Sequence, residues 1–159
     1  MPEHRTLWLS ADATEAVRRR AESAGVFVGV SVVDEQVICE ASGCAALAEY
    51  VVSEIDGRVW IELRTADRWL SQSIEQDLVH TGDKLEELIE EELADQGYEG
   101  VCGKVEHYRD DEKRFVFRTA VPLRGEATPK EVAAIAGAFL LAMQAAFRPL
   151  GDMEADDEE

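Results

Sequence analysis

The sequence lacks the residue patterns by which catalytic and metal sites are usually recognised. It contains three cysteines and three histidines in 159 residues. Cys39, Cys44 and Cys102 form no CxxC pair and have no histidine at ligand spacing, which argues against a structural zinc site. An odd number of cysteines also argues against a disulfide framework, so we expect free buried thiols. The sequence therefore predicts no metal and a reducing, cytoplasmic setting.

Motifs that bind phosphates or activate nucleophiles are also missing. Neither GxxxxGK[ST] nor GxGxxG occurs in the chain. The histidines are scattered, and the pair Asp110 and Asp111 falls in a predicted hairpin turn, where aspartates are favoured for backbone reasons. We therefore predict no catalytic residue, no cofactor and no enzymatic activity. A hydrolase built around His107 and nearby carboxylates is an alternative.

Positive charge is scarce. The chain has 16 basic and 34 acidic residues, which give a formal net charge of −18. Such a charge repels nucleic-acid phosphates and anionic lipid surfaces, so we predict no direct binding to nucleic acid and no membrane association. The N-terminal MPEHRTLWLS lacks the features of a signal peptide, and the apolar segment Val132 to Ala146 is too short to span a bilayer. The charge serves either solubility or the attraction of a basic partner.

The N-terminal part predicts a helix followed by a hairpin. Asp12 and Glu15 have the spacing of a capping box, and Gly25 is placed to end the helix. The segments Val26–Val33 and Val37–Ala41 then read as a hairpin that is apolar on both faces. A strand with no polar face is either covered on both sides or meets a partner.

The middle of the chain predicts a second helix and a second hairpin. Apolar residues repeat at helical spacing from Ala45 to Ile55, and Gly57 ends that run. The segments Arg58–Thr65 and Arg68–Gln76 alternate between apolar and polar residues on either side of a tight link, which is typical of paired strands.

The C-terminal part predicts helix, hairpin and helix. A capping box at Asp83 to Glu86 starts an amphipathic helix whose acidic face, Glu86 to Glu92, is predicted to be solvated. A hairpin follows on either side of DDEK. Thr128, with a proline next and Glu131 completing a capping box, starts a final helix that is apolar on more than one face and needs more than one covering surface.

These elements predict an α+β fold with an antiparallel sheet built from hairpins and helices packed on one face. Residues 1–43 are predicted to form an N-terminal helix and hairpin unit that packs on a main domain of residues 44–150. The acidic residues 151–159 are predicted to be a disordered tail.

Five residues are candidates for partner contact. Trp60, Arg64 and Arg118 lie on the polar sides of predicted strands, where an indole and two guanidinium groups can meet a peptide. Leu140 and Phe147 lie away from the main apolar stripe of the last helix. Packing beneath a helix is the alternative for Trp60, and solvation is the alternative for the arginines.

Three stretches carry a resemblance to a known family: KLEELIEEELADQGYEG, VEHYRDDEKRFVFRTAVPL and TPKEVAAIAGAFLLAMQAAFRPL. From about residue 45 to 150 the order of helix, hairpin, acidic helix, hairpin and final helix resembles the YbjN and type III secretion chaperone-like family. The resemblance implies helices on an antiparallel sheet, no enzymatic activity, and homodimers that hold an extended segment of another protein. One face of the final helix would then serve a second subunit or a client.

The leading hypothesis is therefore a non-catalytic protein-binding module, chaperone-like or an adaptor, that holds a segment of a partner protein as a homodimer. The alternative is an acidic inhibitor or immunity-type protein that mimics nucleic acid through Glu86 to Glu92 and the tail.

Overall fold

The structure is a computed structural model that describes residues 8–41, 48–65, 85–98, 102–109, 114–123 and 128–156, with side chains up to Phe147. Within these ranges the chain forms α1 Ala11–Ala24, β1 Phe27–Val33, β2 Gln36–Ala41, β3 Glu49–Ile55, β4 Arg58–Thr65, α2 Leu85–Asp95, β5 Glu106–Arg109, β6 Phe115–Ala120 and α3 Pro129–Asp156. The strands form one sheet in the order β1-β2-β3-β4-β6-β5, and every neighbouring pair is antiparallel. The predicted α+β class is confirmed.

Helix α1 begins at Ser10 and not at the predicted capping box of Asp12 and Glu15. The hydroxyl of Ser10 accepts a hydrogen bond from the backbone N–H of Ala13 at 3.2 Å. Asp12 already lies in the first turn of the helix, two residues after the N-cap position, so it is not the capping residue. Gly25 adopts a left-handed conformation with φ 69° and ends the helix as predicted.

The prediction of a second helix from Ala45 to Ile55 is wrong, because Glu49–Ile55 of that segment form strand β3. Tyr50 and Val52 face the helices, whereas Val51 and Ser53 face the other side of the sheet, and all four are buried. A strand buried on both faces has a continuous apolar sequence, whose spacing also fits a helix. Residues 56 and 57 both have positive φ and form the two-residue turn that joins β3 to β4.

Strand β4 does not have the partner that the sequence predicts. Strand β4 pairs with β3 on one side and with β6 on the other, so the predicted hairpin between Arg58–Thr65 and Arg68–Gln76 is wrong. Both edges of β4 are already occupied. The segment 68–76 itself lies outside the described residues. The hairpins β1–β2 and β5–β6 form as predicted.

Helix α3 is apolar on nearly every side because it is enclosed by the rest of the chain. It packs on β3 and β4 and has α1 and α2 as helical neighbours. The ring of Phe139 lies 5.4 Å from that of Tyr98, and the ring of Phe147 lies 5.2 Å from that of Phe117. The capping box at its start forms as predicted, with reciprocal hydrogen bonds of 2.9 and 3.1 Å between Thr128 and Glu131.

A glycine allows α1 to approach α3 closely. The guanidinium of Arg20 donates to the carbonyl of Ala134 at 2.9 Å and to the side chain of Gln96 at 3.3 Å. A β-carbon at Gly137 would lie 2.8 Å from Cδ of Arg20, which is too close for a real contact. Arg20 of α1 therefore joins α3 and the turn that follows α2, across a position where α3 has no side chain.

The apolar part of the same helix is longer than the predicted segment Val132 to Ala146, and by length and composition alone it is sufficient to cross a membrane, contrary to the prediction. The stretch is Pro129–Phe147, and 72% of its most apolar window is buried inside the fold. Core helices meet this criterion too, and its burial agrees with the central place of α3 in this core.

The acidic helix α2 is only partly solvated. Oε2 of Glu86 accepts the backbone N–H of Val105 at 2.8 Å, and Oε2 of Glu90 accepts that of Cys102 at 2.8 Å. The segment from Cys102 to Val105 precedes β5 outside the strand ladder, so its N–H groups need acceptors. Glu87 and Glu91 are exposed, as predicted. The mimicry of nucleic acid through this helix stays a prediction, with two of its carboxylates engaged within the chain.

The predicted boundary at residue 43 falls between two paired strands. β2 pairs with β3 through four residues on each side, and α1 shares a single buried core with α2 and α3. The division into two units stays a prediction. The backbone of α3 continues to Asp156, which differs from the disorder predicted from residue 151, since Ala, Glu and Met favour a helix.

We predict that Glu90→Ala lowers the free energy of unfolding by about 1–3 kcal/mol, because the N–H of Cys102 loses its acceptor in a half-buried position. Glu91→Ala, at the exposed neighbouring position, is the control and changes it by less than about 0.5 kcal/mol. Urea denaturation followed by circular dichroism measures both. Equal midpoints for the two variants would contradict this role of Glu90.

Candidate functional site

Three of the five predicted contact residues meet on the face of the sheet opposite the helices. Trp60 and Arg64 flank Glu62 at alternate positions of β4, and Arg118 of β6 is the direct cross-strand neighbour of Glu62. Since alternate residues of a strand share a face, the four side chains form one cluster.

The cluster is organised by the buried carboxylate of Glu62, whose residue is 3% exposed. Nε of Arg64 donates to Oε1 of Glu62 at 2.7 Å, and Nη1 of Arg118 lies 3.8 Å from Oε2. Arg118 also donates from Nε to Glu106 at 2.9 Å, and its guanidinium lies 3.9 Å from the centroid of the Trp60 ring. Two arginines thus compensate one buried carboxylate while one of them stacks on an indole.

This arrangement engages the predicted contact residues within the chain. Trp60 is buried, Arg64 pairs with Glu62 of its own strand, and Arg118 pairs with Glu106 of the neighbouring strand β5. A buried carboxylate is costly unless cations and hydrogen bonds surround it, so the cluster has a structural reason to exist. It joins β4, β6 and β5. Partner contact by Trp60, Arg64 and Arg118 stays a prediction.

Leu140 and Phe147 lie elsewhere, on the other side of the sheet. They are 0% and 2% exposed and belong to the core beneath the helices. The face of the last helix that the sequence assigns to a second subunit or client is therefore covered by the chain itself. The reason is that α3 is the central helix of its layer, with a helix on each flank and the sheet beneath.

The reactive side chains in the described part of the chain are not assembled into one site. The imidazole of His107 stacks on Phe117 with ring centroids 3.9 Å apart. Burial raises the pKa of the Cys39 thiol to about 12, and burial is also the main cause that raises the pKa of Cys102 to about 11. Within the described ranges, no group of three or more histidine, cysteine or acidic residues is placed to hold a metal ion.

The most unusual surface is the open edge of the sheet at β1. Among the described strands β1 has β2 as its only neighbour. Its sequence, FVGVSVV, contains no charged residue, and Val28, Val32 and Val33 are 67%, 41% and 49% exposed. Long apolar edges without charge or proline invite pairing with another strand.

The register of the hairpin shows which backbone groups of β1 point outward. Asp34 and Glu35 form a two-residue turn with positive φ, which makes Val33 and Gln36 a hydrogen-bonded pair. Alternate residues of an antiparallel strand bond to the same neighbour, so Ser31 bonds to β2. The N–H and C=O groups of Val30 and Val32 therefore point away from the sheet.

The opposite edge of the sheet is protected. β5 has four residues, Glu106–Arg109, and two of them are charged. Both charged side chains fold back on β6: Glu106 pairs with Arg118, and Arg109 lies over the ring of Phe115 at 5.2 Å. Short, charged strands resist edge pairing. The two edges of the same sheet are thus built differently, and only β1 offers a template for an added strand within the described part of the chain.

No family model, curated protein or solved structure matches this chain. The resemblance to the YbjN and type III secretion chaperone-like family thus stays a prediction.

Val28, Val30 and Val32 are absent from the residues predicted for partner contact. The signal for them is present in the sequence, since VFVGVSVV has no polar face. That pattern leaves open whether a strand is covered on both sides or meets a partner. Only the strand order places β1 at an edge.

We predict that Glu62→Gln lowers the free energy of unfolding by about 3 kcal/mol, because it leaves two half-buried guanidinium groups without their shared carboxylate. The matched control is Glu106→Gln, which removes the half-exposed partner of Arg118 and costs less than about 1 kcal/mol. Guanidinium denaturation compares them. A Glu62→Gln variant as stable as the control would show that the cluster is not the electrostatic centre of this face.

Proposed function

We propose that this protein is a non-catalytic protein-binding module, chaperone-like or an adaptor, that holds an extended segment of a partner protein as an added strand beside β1. The observation that carries the proposal is the uncharged seven-residue edge with three exposed valines. In strand addition, main-chain hydrogen bonds supply affinity, and alternate side chains supply specificity.

The energetics of the edge support an occupant. An added strand would meet the outward N–H and C=O groups of Val30 and Val32 and cover part of the exposed surface of Val28 and Val32. Fully burying a valine contributes about 1.5–3 kcal/mol, and these valines are roughly half exposed. An edge of this kind that stays open in the cell is a site for aggregation.

A segment of another protein fits this edge better than a second copy of the chain. Pairing two β1 strands would bring together two chains that each carry a formal charge of −18. Like charges at that density oppose association, whereas they attract a segment with basic residues. The homodimer implied by the family resemblance stays a prediction, and the part of α3 whose side chains are described, up to Phe147, supplies no free apolar face for it.

We expect a nine-residue peptide of alternating threonine and valine with a central lysine to bind at β1. Binding slows hydrogen exchange at the amides of Val30 and Val32, because their outward N–H groups become hydrogen bonded. Nuclear magnetic resonance of the labelled protein measures the exchange rates and the affinity. Exchange rates at Val30 and Val32 that stay unchanged at millimolar peptide would contradict strand addition, whether the peptide binds elsewhere or not at all.

The specificity of that result is tested by two lysine substitutions at equally exposed positions. Val32→Lys on the edge weakens peptide binding about tenfold or more, because the added strand no longer covers an apolar side chain. Ile55→Lys is the control, since Ile55 is 42% exposed against 41% for Val32 but lies at the end of the internal strand β3. Equal loss of affinity in both variants would count against β1 as the site.

A further inference from the structure

Glu40 of β2 lies beside the edge strand in an unusual position. It is the cross-strand neighbour of Gly29, and a β-carbon at Gly29 would lie 3.5 Å from Oε1 of Glu40. The carboxylate thus rests against the backbone of β1, in space that a larger residue at position 29 would share. Both residues belong to the face of the sheet that points away from the helices.

Glu40 has no cationic partner of its own within the described residues, although two arginines line the same cavity. It lines a surface cavity of about 360 Å³ together with Val28, Glu49, Arg64 and Arg114. Arg64 is paired with Glu62, and Arg114 lies 3.7 Å from Glu49. Glu40 is exposed and forms no ion pair or hydrogen bond through its side chain within the described residues.

A strand added beside β1 would bring its side chains close to this carboxylate. Neighbouring strands lie about 4.8 Å apart, and side chains of one face project to the same side. The residue opposite Gly29 therefore extends over a position without a side chain, with Glu40 on the far side. Lysine and arginine are long enough to cross that gap, and their positive charge would pair with the carboxylate of Glu40.

From this geometry, and resting on the proposed function, we infer that the bound segment carries a lysine or arginine opposite Gly29 and that Glu40 is the residue that selects it. The remaining alternate positions on that face meet Ser31 and Val33, whereas the other face of the segment meets Val30 and Val32. The segment is therefore an extended one that alternates small β-branched residues with polar ones and includes a basic residue. The net charge of −18 favours the same choice at long range.

The test compares peptides that differ only in the central residue of the alternating threonine and valine sequence: lysine, glutamine or glutamate. At low salt the wild-type protein is expected to bind the lysine peptide about tenfold more tightly than the glutamate peptide, because one contact is attractive and the other repulsive. In Glu40→Gln this preference falls to about threefold or less. The matched control is Glu35→Gln, which removes the same charge from the exposed hairpin turn and keeps the preference.

A second variant tests the open position at residue 29 itself. Gly29 has no positive φ, so Gly29→Thr fits the strand without backbone strain. Its side chain occupies the space between the carboxylate and the added strand, so the lysine preference falls as in Glu40→Gln. Circular dichroism and the exchange rates of buried amides in β3 confirm that the variant is folded.

The outcomes separate the two proposals. If the amides of Val30 and Val32 gain no protection with any peptide, strand addition fails and the selection by Glu40 fails with it. If all three peptides protect these amides with equal affinity, strand addition stands and the inference about Glu40 is overturned. If light scattering shows a wild-type dimer that Val32→Lys dissociates, the occupant of β1 is a second copy, and the inference is likewise overturned.

Discussion

The enclosure of helix α3 is the constraint on which the rest of the structure depends. A helix that is apolar around most of its circumference must be surrounded, and here the sheet and two helices surround it. Because α1 packs against α3 and continues into the first hairpin, the N-terminal strands are held at one end of the sheet. The apolar excess that suggests a partner at α3 is thereby satisfied internally, and an apolar surface without a cover appears at β1.

The two faces of the sheet are stabilised by different interactions. Towards the helices, Tyr50, Ile61 and Phe117 supply an ordinary apolar core. On the other face, Glu62 is buried and needs cations beside it, which Arg64 of the same strand and Arg118 of the neighbouring strand β6 provide. Removing one partner of such a network leaves a buried charge without compensation, which is strongly destabilising. The network therefore holds β4 and β6 together, and partner contact by its residues stays a prediction.

Much of the fold follows from local signals in the sequence. The end of α1 at Gly25, the start of α3 at Thr128 and the first hairpin can be predicted from the sequence. Each of these features depends on interactions between residues that are close together in the chain. The strand β3 does not follow, since burial on both faces removes the alternation that distinguishes a strand from a helix. The pairing of β4 with β6 is a contact between distant segments, which no local pattern specifies. The candidate site could not be predicted for the same reason, because the exposure of Val28 and Val32 depends on strand order.

The most direct test of β1 as the binding edge is a map of intermolecular nuclear Overhauser contacts between the isotope-labelled protein and the unlabelled lysine peptide. Contacts are expected from the backbone protons of Val30 to Val32 along the length of the peptide, and from the side chain of Glu40 to its lysine. Contacts confined to the cluster around Arg118, or to helix α3, would contradict the assignment of β1 as the binding edge.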